Sequence, residues 1–433
     1  MNRPELWTYD NQTNRIVNPT GRVMYYWNDP RFGGVQDRFS NAPALPCGKL
    51  RPIAGKDRVL SKLKIQLGLA CNTNCRYCMQ APWRKAEAFD RAPQLSEAEI
   101  DRFLDSLSEA GIRLRPKGRI EIWGGEPLVY IRTLRILLPK LRERFGRECV
   151  ISLFTNGLLL THETADLLLT HRVTVRISHD GPGQSLRGVD PLDDPEVYEV
   201  WKHLYEESVR AGVPLEFHAV ITPMNADLER VVDFFREKFG PEAEVGFEGV
   251  VSQTGACAED CGFTEDSARV LSASVFNAAM NRSIPDLMPC IDELLGRMVH
   301  RVPASRLGIR CEAGSRSVLT VDLKGRIGSC QNRPVGRFPV GTVKDLEHAS
   351  NPHLTHWSLR PNCRDCLVLH SCKGGCPHLS DSEAQAACAN EFVFHSAVFA
   401  SVWHLLTERI ITGVEEIPEA NSETVEEGRA LHA

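Results

Sequence analysis

The chain has 433 residues, 42% of them hydrophobic and 25% charged, with a formal net charge of −5. That length allows more than one core, because a single core stops growing near about 250–300 residues, and the acidic balance leaves no electrostatic footprint for nucleic acid. No apolar run is long enough to span a bilayer and Met1–Asp10 has no signal-peptide core, so the chain is expected in the cytoplasm with no membrane partner.

Residues 1–60 are rich in aromatics and proline but carry no motif. From Ser61 to Ser252 short apolar runs alternate with amphipathic stretches. Strands are expected over Lys64–Ala70, Arg119–Trp123, Cys149–Thr155, Thr174–Ser178, Leu215–Ile221 and Glu244–Val251. Helices are expected over Ser96–Ala110, Arg132–Phe145, Glu163–His171, Pro195–Ala211 and Asp227–Phe239, with Ser96 as an N-cap. Strand then helix, repeated, implies an α/β fold with a parallel sheet and right-handed crossovers. Six such strands make a partial (β/α)6, TIM-like barrel, whose chemistry sits at the carboxyl ends of the strands. A helical stretch runs from Asp266 to about Val302, Ser317–Cys330 reads as a hairpin around Asp322-Leu323-Lys324-Gly325, and Asn390–Thr412 reads as a helix stopped by Gly413. Residues 414–433 are acidic and read as disordered.

The chain holds 15 cysteines, which in a large chain without a signal peptide point to metal or redox chemistry rather than disulfides. Cys71, Cys75 and Cys78 form a CxxxCxxC loop directly after the first strand. Three thiolates on one short loop hold three irons of a cubane cluster and leave the fourth iron without a protein ligand. A zinc site calls for four ligands. At the observed cysteine frequency chance supplies roughly 0.02 such patterns in a chain of this length.

This loop, with Tyr77 before its third cysteine, resembles the signature of the radical S-adenosylmethionine (SAM) superfamily. Gly124-Gly125-Glu126-Pro127 ends the second strand and resembles the family's GGEP motif, whose backbone and Glu bind the SAM amino group. Thr155-Asn156-Gly157 ends the third strand, and Ser178-His179-Asp180-Gly181-Pro182 ends the fourth and resembles the family's SLDGP. The resemblance implies SAM contacts at Tyr77, Gly124, Gly125, Glu126, Pro127, Asn156, Ser178, Asp180, the downstream Arg187 and, beside the adenine, Val220 and Ile221. It also implies a cluster that donates an electron to cleave SAM to a 5′-deoxyadenosyl radical.

The second cysteine block runs Cys311-x13-Gly325-x4-Cys330, then Cys363-x2-Cys366-x5-Cys372-x3-Cys376-x11-Cys388. It resembles the SPASM extension of radical SAM enzymes. A zinc ribbon accounts for Cys363 and Cys366 but not for seven thiols. The resemblance implies two auxiliary 4Fe-4S clusters, three clusters in all: an inner one on Cys311, Cys330 and Cys376, and an outer one on Cys363, Cys366, Cys372 and Cys388. No cysteine lies between Cys311 and Cys330, so either an upstream thiol (Cys290, Cys257 or Cys261) completes the inner cluster or one iron stays open. The expected organisation is an N-terminal segment at 1–60, a radical SAM barrel at 61–300, a small cysteine-rich two-cluster domain with a closing helix at 301–412, and a disordered tail at 413–433.

Relatives with this extension mostly modify peptides. The expected function is therefore an oxidoreductase that abstracts hydrogen from a ribosomally made precursor peptide and completes a thioether or carbon–carbon crosslink, with a flavodoxin- or ferredoxin-type electron donor. The rival is a dehydrogenase or decarboxylase acting on a small molecule such as an aminoglycoside or tetrapyrrole. In the sulfatase-maturing group an Asp base follows the second auxiliary cysteine. Here that position is Gln331, which argues against sulfatase maturation. Candidate acid–base or nucleophilic residues near strand ends are His218, Glu248, Cys257 and Cys261. Trp7, Tyr9, Tyr25, Tyr26, Trp27 and Phe32 offer an edge for a leader peptide by strand addition, or pack on the barrel's open side.

Overall fold

The computed structural model describes residues 8–10, 15–17, 23–27, 55–84, 92–252, 260–300, 302, 304–350, 354–364, 366 and 368–416. Its strands are β1 (Thr8–Asp10), β2 (Arg15–Val17), β3 (Val23–Trp27), β4 (Val59–Gln66), β5 (Arg113–Trp123), β6 (Val150–Thr155) and β7 (Val173–Ser178). They continue with β8 (Leu215–Ile221), β9 (Glu244–Val250), β10 (Val318–Asp322), β11 (Arg326–Gly328), β12 (Pro339–Thr342) and β13 (Ile411–Glu416). The chain divides into two compact units, Pro52–Val270 with Cys311–Leu354, and Met1–Arg51 with Leu271–Arg310 and Thr355–Ala433. No helix among the described residues is long and apolar enough to cross a membrane.

The first unit is the barrel. Its sheet runs β12-β11-β10-β4-β5-β6-β7-β8-β9, and β4 to β9 pair in parallel, each with the next. Alternation sorts the side chains. On β8 the residues Leu215, Phe217, Ala219 and Ile221 are buried while Glu216, His218 and Val220 face the other way. Leu215, Phe217 and Ala219 join Leu63, Ile65, Ile120, Ile122, Leu153 and Ile177 in one core with the surrounding helices. Each such side chain contributes about 1.5–3 kcal/mol on burial. The opposite face is the lumen, which mixes polar side chains such as Lys64, Gln66 and His218 with the aromatic Trp123 and Phe154.

The helices form where capping and periodicity agree. Glu97–Glu109 starts at Ser96, whose N–H donates to Glu99 Oε2 at 2.8 Å, and buries Ile100, Phe103, Leu104 and Leu107 on one face. Pro195–Ala211 starts at Asp194, which accepts from the Glu196 N–H, and stops at Gly212 in the left-handed region (φ 60°).

Three expectations change. The hairpin of β10 and β11 does form, with Gly325 at φ 74° in its turn, but β10 pairs in parallel with β4 and so extends the barrel sheet. Residues 311–354 accordingly belong with the barrel and not with the cysteine-rich run. The helical stretch after Asp266 is two helices, Glu265–Asn281 and Met288–Val299, separated at Pro285. The last helix is Asp381–Thr407. A capping box at Ser380 and Glu383 starts it early, and it ends at Glu408 in the left-handed region, so Gly413 is no stop but part of β13.

In the second unit β13 pairs with β3, giving a four-stranded sheet in the order β1-β2-β3-β13. Residues 413–416 of the expected disordered tail are therefore strand; 417–433 lie outside the described residues, as do Trp7 and Phe32. Tyr9 lies in β1, and Tyr25, Tyr26 and Trp27 lie in β3.

Candidate cluster and SAM site

β4 ends at Gln66 and runs into the cysteine loop. The approach is tight. A Cβ on Gly125 would lie 2.3 Å from the Leu69 carbonyl oxygen and 2.4 Å from that of Ala70. Only glycine therefore lets the Gly124–Glu126 turn dock on this segment, where the Gly125 and Glu126 N–H groups donate to Gly68 O (2.9 Å) and Ala70 O (2.8 Å). The end of β5 thus fixes the base of the loop. Thr73 Oγ1 lies 3.2 Å from Cys71 Sγ and 3.6 Å from Cys75 Sγ, and all three thiols line one pocket.

Glu126 organises the neighbouring strand ends. Its Oε1 accepts from Leu128 N (2.9 Å) and Thr155 Oγ1 (2.7 Å), and its Oε2 from Asn156 N (2.7 Å). Asn156 in turn donates to Asn72 in the cysteine loop at 2.7 Å. Burial pushes the Glu126 carboxyl up to about 7, although these three hydrogen bonds oppose it. All its partners are neutral, so an ammonium group is the charge complement it lacks.

Asp180 is fully buried and spends its oxygens on the protein. Oδ1 accepts from Val220 N (3.0 Å) and Arg187 Nη2 (3.0 Å), and Oδ2 accepts from Tyr77 Oη. Burial, and Asp180 beside it, raise the Tyr77 phenol well above its usual range, keeping it a donor. Arg187 stands over the Tyr77 ring at 5.6 Å. Burial disfavours its charge, but Asp180 outweighs that and keeps the guanidinium protonated. Its Nε is buried with no hydrogen-bond partner among the described residues. A cationic group with an orphaned donor, lining a pocket with three thiols, fits a ligand that carries a carboxylate.

Tyr77, Gly124, Gly125, Glu126, Asn156, Ser178, Arg187, Val220 and Glu248 all line this pocket with the three cysteines. Three of the SAM contacts expected from the sequence do not. Asp180 is a hub behind the wall, Ile221 belongs to the core face of β8, and Pro127 starts a buried turn after Glu126. His218 sits on the lumen face, held by Glu216 at 3.0 Å. Cys261 is buried and disulfide-bonded, and Cys257 lies outside the described residues. Sequence reading missed the aromatic wall, in which Trp123 stacks on Phe154 at 3.8 Å and Arg176 covers Phe154 at 5.0 Å. The signal for it was alternation: these residues occupy the lumen positions of strands whose other face is apolar.

In the second unit one pocket is lined by Cys363, Cys366, Cys372, Cys376, Cys388 and Glu391. Arg360 holds its loop by donating to the carbonyls of Gly374 (2.6 Å), Cys376 (2.8 Å) and Leu379 (3.0 Å). Burial pushes the Cys363 thiol up to about 11 and that of Cys372 to about 12. Five converging thiols beside a cationic loop anchor are a donor set suited to iron–sulfur chemistry. Cys311 is exposed and Cys330 half-buried in the barrel unit.

Comparison with known proteins agrees with this geometry. Residues 65–235 match the radical SAM superfamily. The chain is similar to the GTP 3′,8-cyclase of Helicobacter pylori, at 28% identity over 167 residues, 38% of this chain and 48% of that protein. It thus spans about half the length of that relative. Over 350 residues it is 21% identical to the serine-type anaerobic sulfatase-maturating enzyme of Bacteroides thetaiotaomicron, 72% of this chain and 81% of that one. In fold it resembles native anSMEcpe with bound AdoMet, at a TM-score of 0.55 and 18% identity, covering 80% of this chain and 99% of that one. With the cysteine loop, the Gly-Gly-Glu turn and Arg187 in one pocket at the strand ends, residues 65–235 match a radical SAM domain.

Proposed function

We propose that this enzyme modifies a ribosomally made peptide by a net oxidation that closes a thioether or carbon–carbon crosslink, and that its seven C-terminal cysteines hold two auxiliary clusters. One observation carries the reading: Asn332, two residues beyond Cys330, lines the same pocket as Cys71, Cys75 and Cys78. The segment after Cys330 thus lines the same pocket as the cysteine loop, which supports an auxiliary cluster near it. The likeness to a sulfatase-maturating enzyme supports a peptide as substrate, and a flavodoxin- or ferredoxin-type protein suits as the donor of the priming electron.

The residues around the pocket divide the work. Cys71, Cys75 and Cys78 would hold the first cluster, Arg187 the SAM carboxylate and Glu126 its amino group. When bound, SAM and the clusters supply a 5′-deoxyadenosyl radical that takes a hydrogen atom from an unactivated C–H bond and an acceptor for the electron that the substrate radical gives up. Joining that carbon to a thiol or a second carbon also releases a proton. Glu248 is the group placed to take it. Among the lining carboxylates Glu126 is committed to the strand ends and to the SAM amino group, whereas Glu248 is exposed and none of the described residues engages it. Gln331 cannot serve as base, and its amide oxygen accepts from Lys64 at 3.2 Å. The stacked Trp123 and Phe154 offer an apolar wall for the substrate side chain and keep water from the radical.

The test is anaerobic turnover with SAM, reductant and a candidate precursor peptide, read by mass spectrometry. Loss of two hydrogens from the peptide, matched one to one by 5′-deoxyadenosine, is the expected result. An unmodified peptide with deoxyadenosine formed only on a small-molecule substrate would contradict it.

A further inference from the structure

Three lumen-facing residues of β4, at alternate positions, are polar and mostly buried: Lys62, Lys64 (7% exposed) and Gln66 (4% exposed). A buried polar group is costly unless it is satisfied, so their partners are informative. Lys62 Nζ lies 2.8 Å from Glu121 and 2.9 Å from Glu312. Lys64 Nζ lies 2.9 Å from Glu312 and 3.2 Å from Gln331 Oε1. Gln66 Nε2 donates to Gln331 O (2.8 Å) and Arg333 O (2.7 Å), and its Oε1 accepts from Val335 N (2.9 Å). Glu312 directly follows Cys311, and Gln331 directly follows Cys330. Besides Glu121 on β5, the partners of this strand face therefore lie in the segments that follow Cys311 and Cys330 in the barrel unit.

The same strand leads into the radical SAM loop, and the segment just beyond that loop grips the same hairpin. Gln80 Nε2 reaches Gln331 O at 3.4 Å, and Trp83 packs edge-on against Phe338 at 5.0 Å. Strand pairing of β10 with β4, from Val318↔Lys62 to Asp322↔Gln66, fixes the hairpin's register but not the loops at Cys311 and Cys330, which lie outside the paired residues.

We propose that Lys64 and Gln66 are positioning residues that set Cys311 and Cys330 in register with the Cys71–Cys78 loop, so that one strand carries the geometry of two cluster sites. This rests on the reading that Cys311 and Cys330 are auxiliary-cluster ligands. Lys64 ties both cysteine-bearing segments together, whereas Gln66 holds the turn after Cys330 alone.

The test uses full-length protein reconstituted anaerobically, with Lys64→Met and Gln66→Leu compared with wild type by iron and sulfide content, Mössbauer spectroscopy and far-UV circular dichroism. Each variant is expected to lose one cluster, about four irons per chain, with an unchanged far-UV spectrum. The Mössbauer signature of the cluster that responds to SAM should persist, and Lys64→Arg should restore the lost iron. Gln66→Asn, which keeps the buried amide but draws it back by one methylene, carries the test if Gln66→Leu does not fold. Wild-type iron and spectra in both variants, or loss of the SAM-responsive cluster together with the auxiliary one, would overturn the proposal. Wild-type protein with about four irons, unchanged by Cys330→Ala, would overturn the auxiliary-cluster reading itself and this inference with it.

Discussion

Single residues carry the sharpest consequences. The Glu126 carboxyl is raised from 4.5 to about 7 by burial. Between those values the folded state keeps a proton that the unfolded state has released, so stability falls as pH rises from about 4.5 and the full cost is reached above about 7. That difference is worth about 3 kcal/mol. Glu126→Gln has no such titration, so its thermal midpoint should lose less than wild type's between pH 5 and pH 8, and melting curves of the two apoproteins at both values check this. Glu248→Gln should cut product formed per deoxyadenosine by roughly 10²–10⁴-fold, the usual range for a lost general base, measured by mass spectrometry and chromatography. At this scale the motifs named Cys71, Cys75, Cys78, Glu126 and Arg187, which the fold brings to one pocket. Asp180 and Ile221 lie off that lining, because a motif names a position while only the fold decides which way that position faces.

Elements were legible where local signals agree. Pro195–Ala211 is bounded by Asp194 and Gly212 as its sequence suggests, and β8 has the expected limits because its alternation is strict. Failures came where a long-range partner or a conformation rare for the residue type decided. The pairing of β10 with β4 joins residues about 250 apart in sequence, and no local pattern announces it. The final helix stops at Glu408 in a left-handed conformation that non-glycine residues seldom adopt, so the glycine five residues later drew the boundary. Two substitutions test the element account. Phe217 is fully buried and stacks on Phe235 at 4.4 Å, so Phe217→Ala should cost about 3–5 kcal/mol in chemical denaturation of the apoprotein. Gly125→Ala puts a methyl against two backbone carbonyls and should cost about 1–3 kcal/mol, with loss of the first cluster's iron because the base of the cysteine loop must shift.

For the whole molecule, spacing told more than periodicity. Ten cysteines in two blocks implied a barrel with a metal-dependent extension, and six consecutive parallel strands with the first block at the end of β4 agree with the barrel. The division into units was not legible. Residues 311–354 belong with the barrel and the N-terminal strands with the cysteine-rich unit, because both assignments depend on pairings between distant segments, β10 with β4 and β13 with β3. The measurement that bears most directly on the whole account is iron and sulfide content after anaerobic reconstitution, together with 5′-deoxyadenosine formation from SAM under reductant. Three cubane clusters predict about twelve irons per chain with deoxyadenosine produced. Zinc without iron, and no cleavage of SAM, would contradict it.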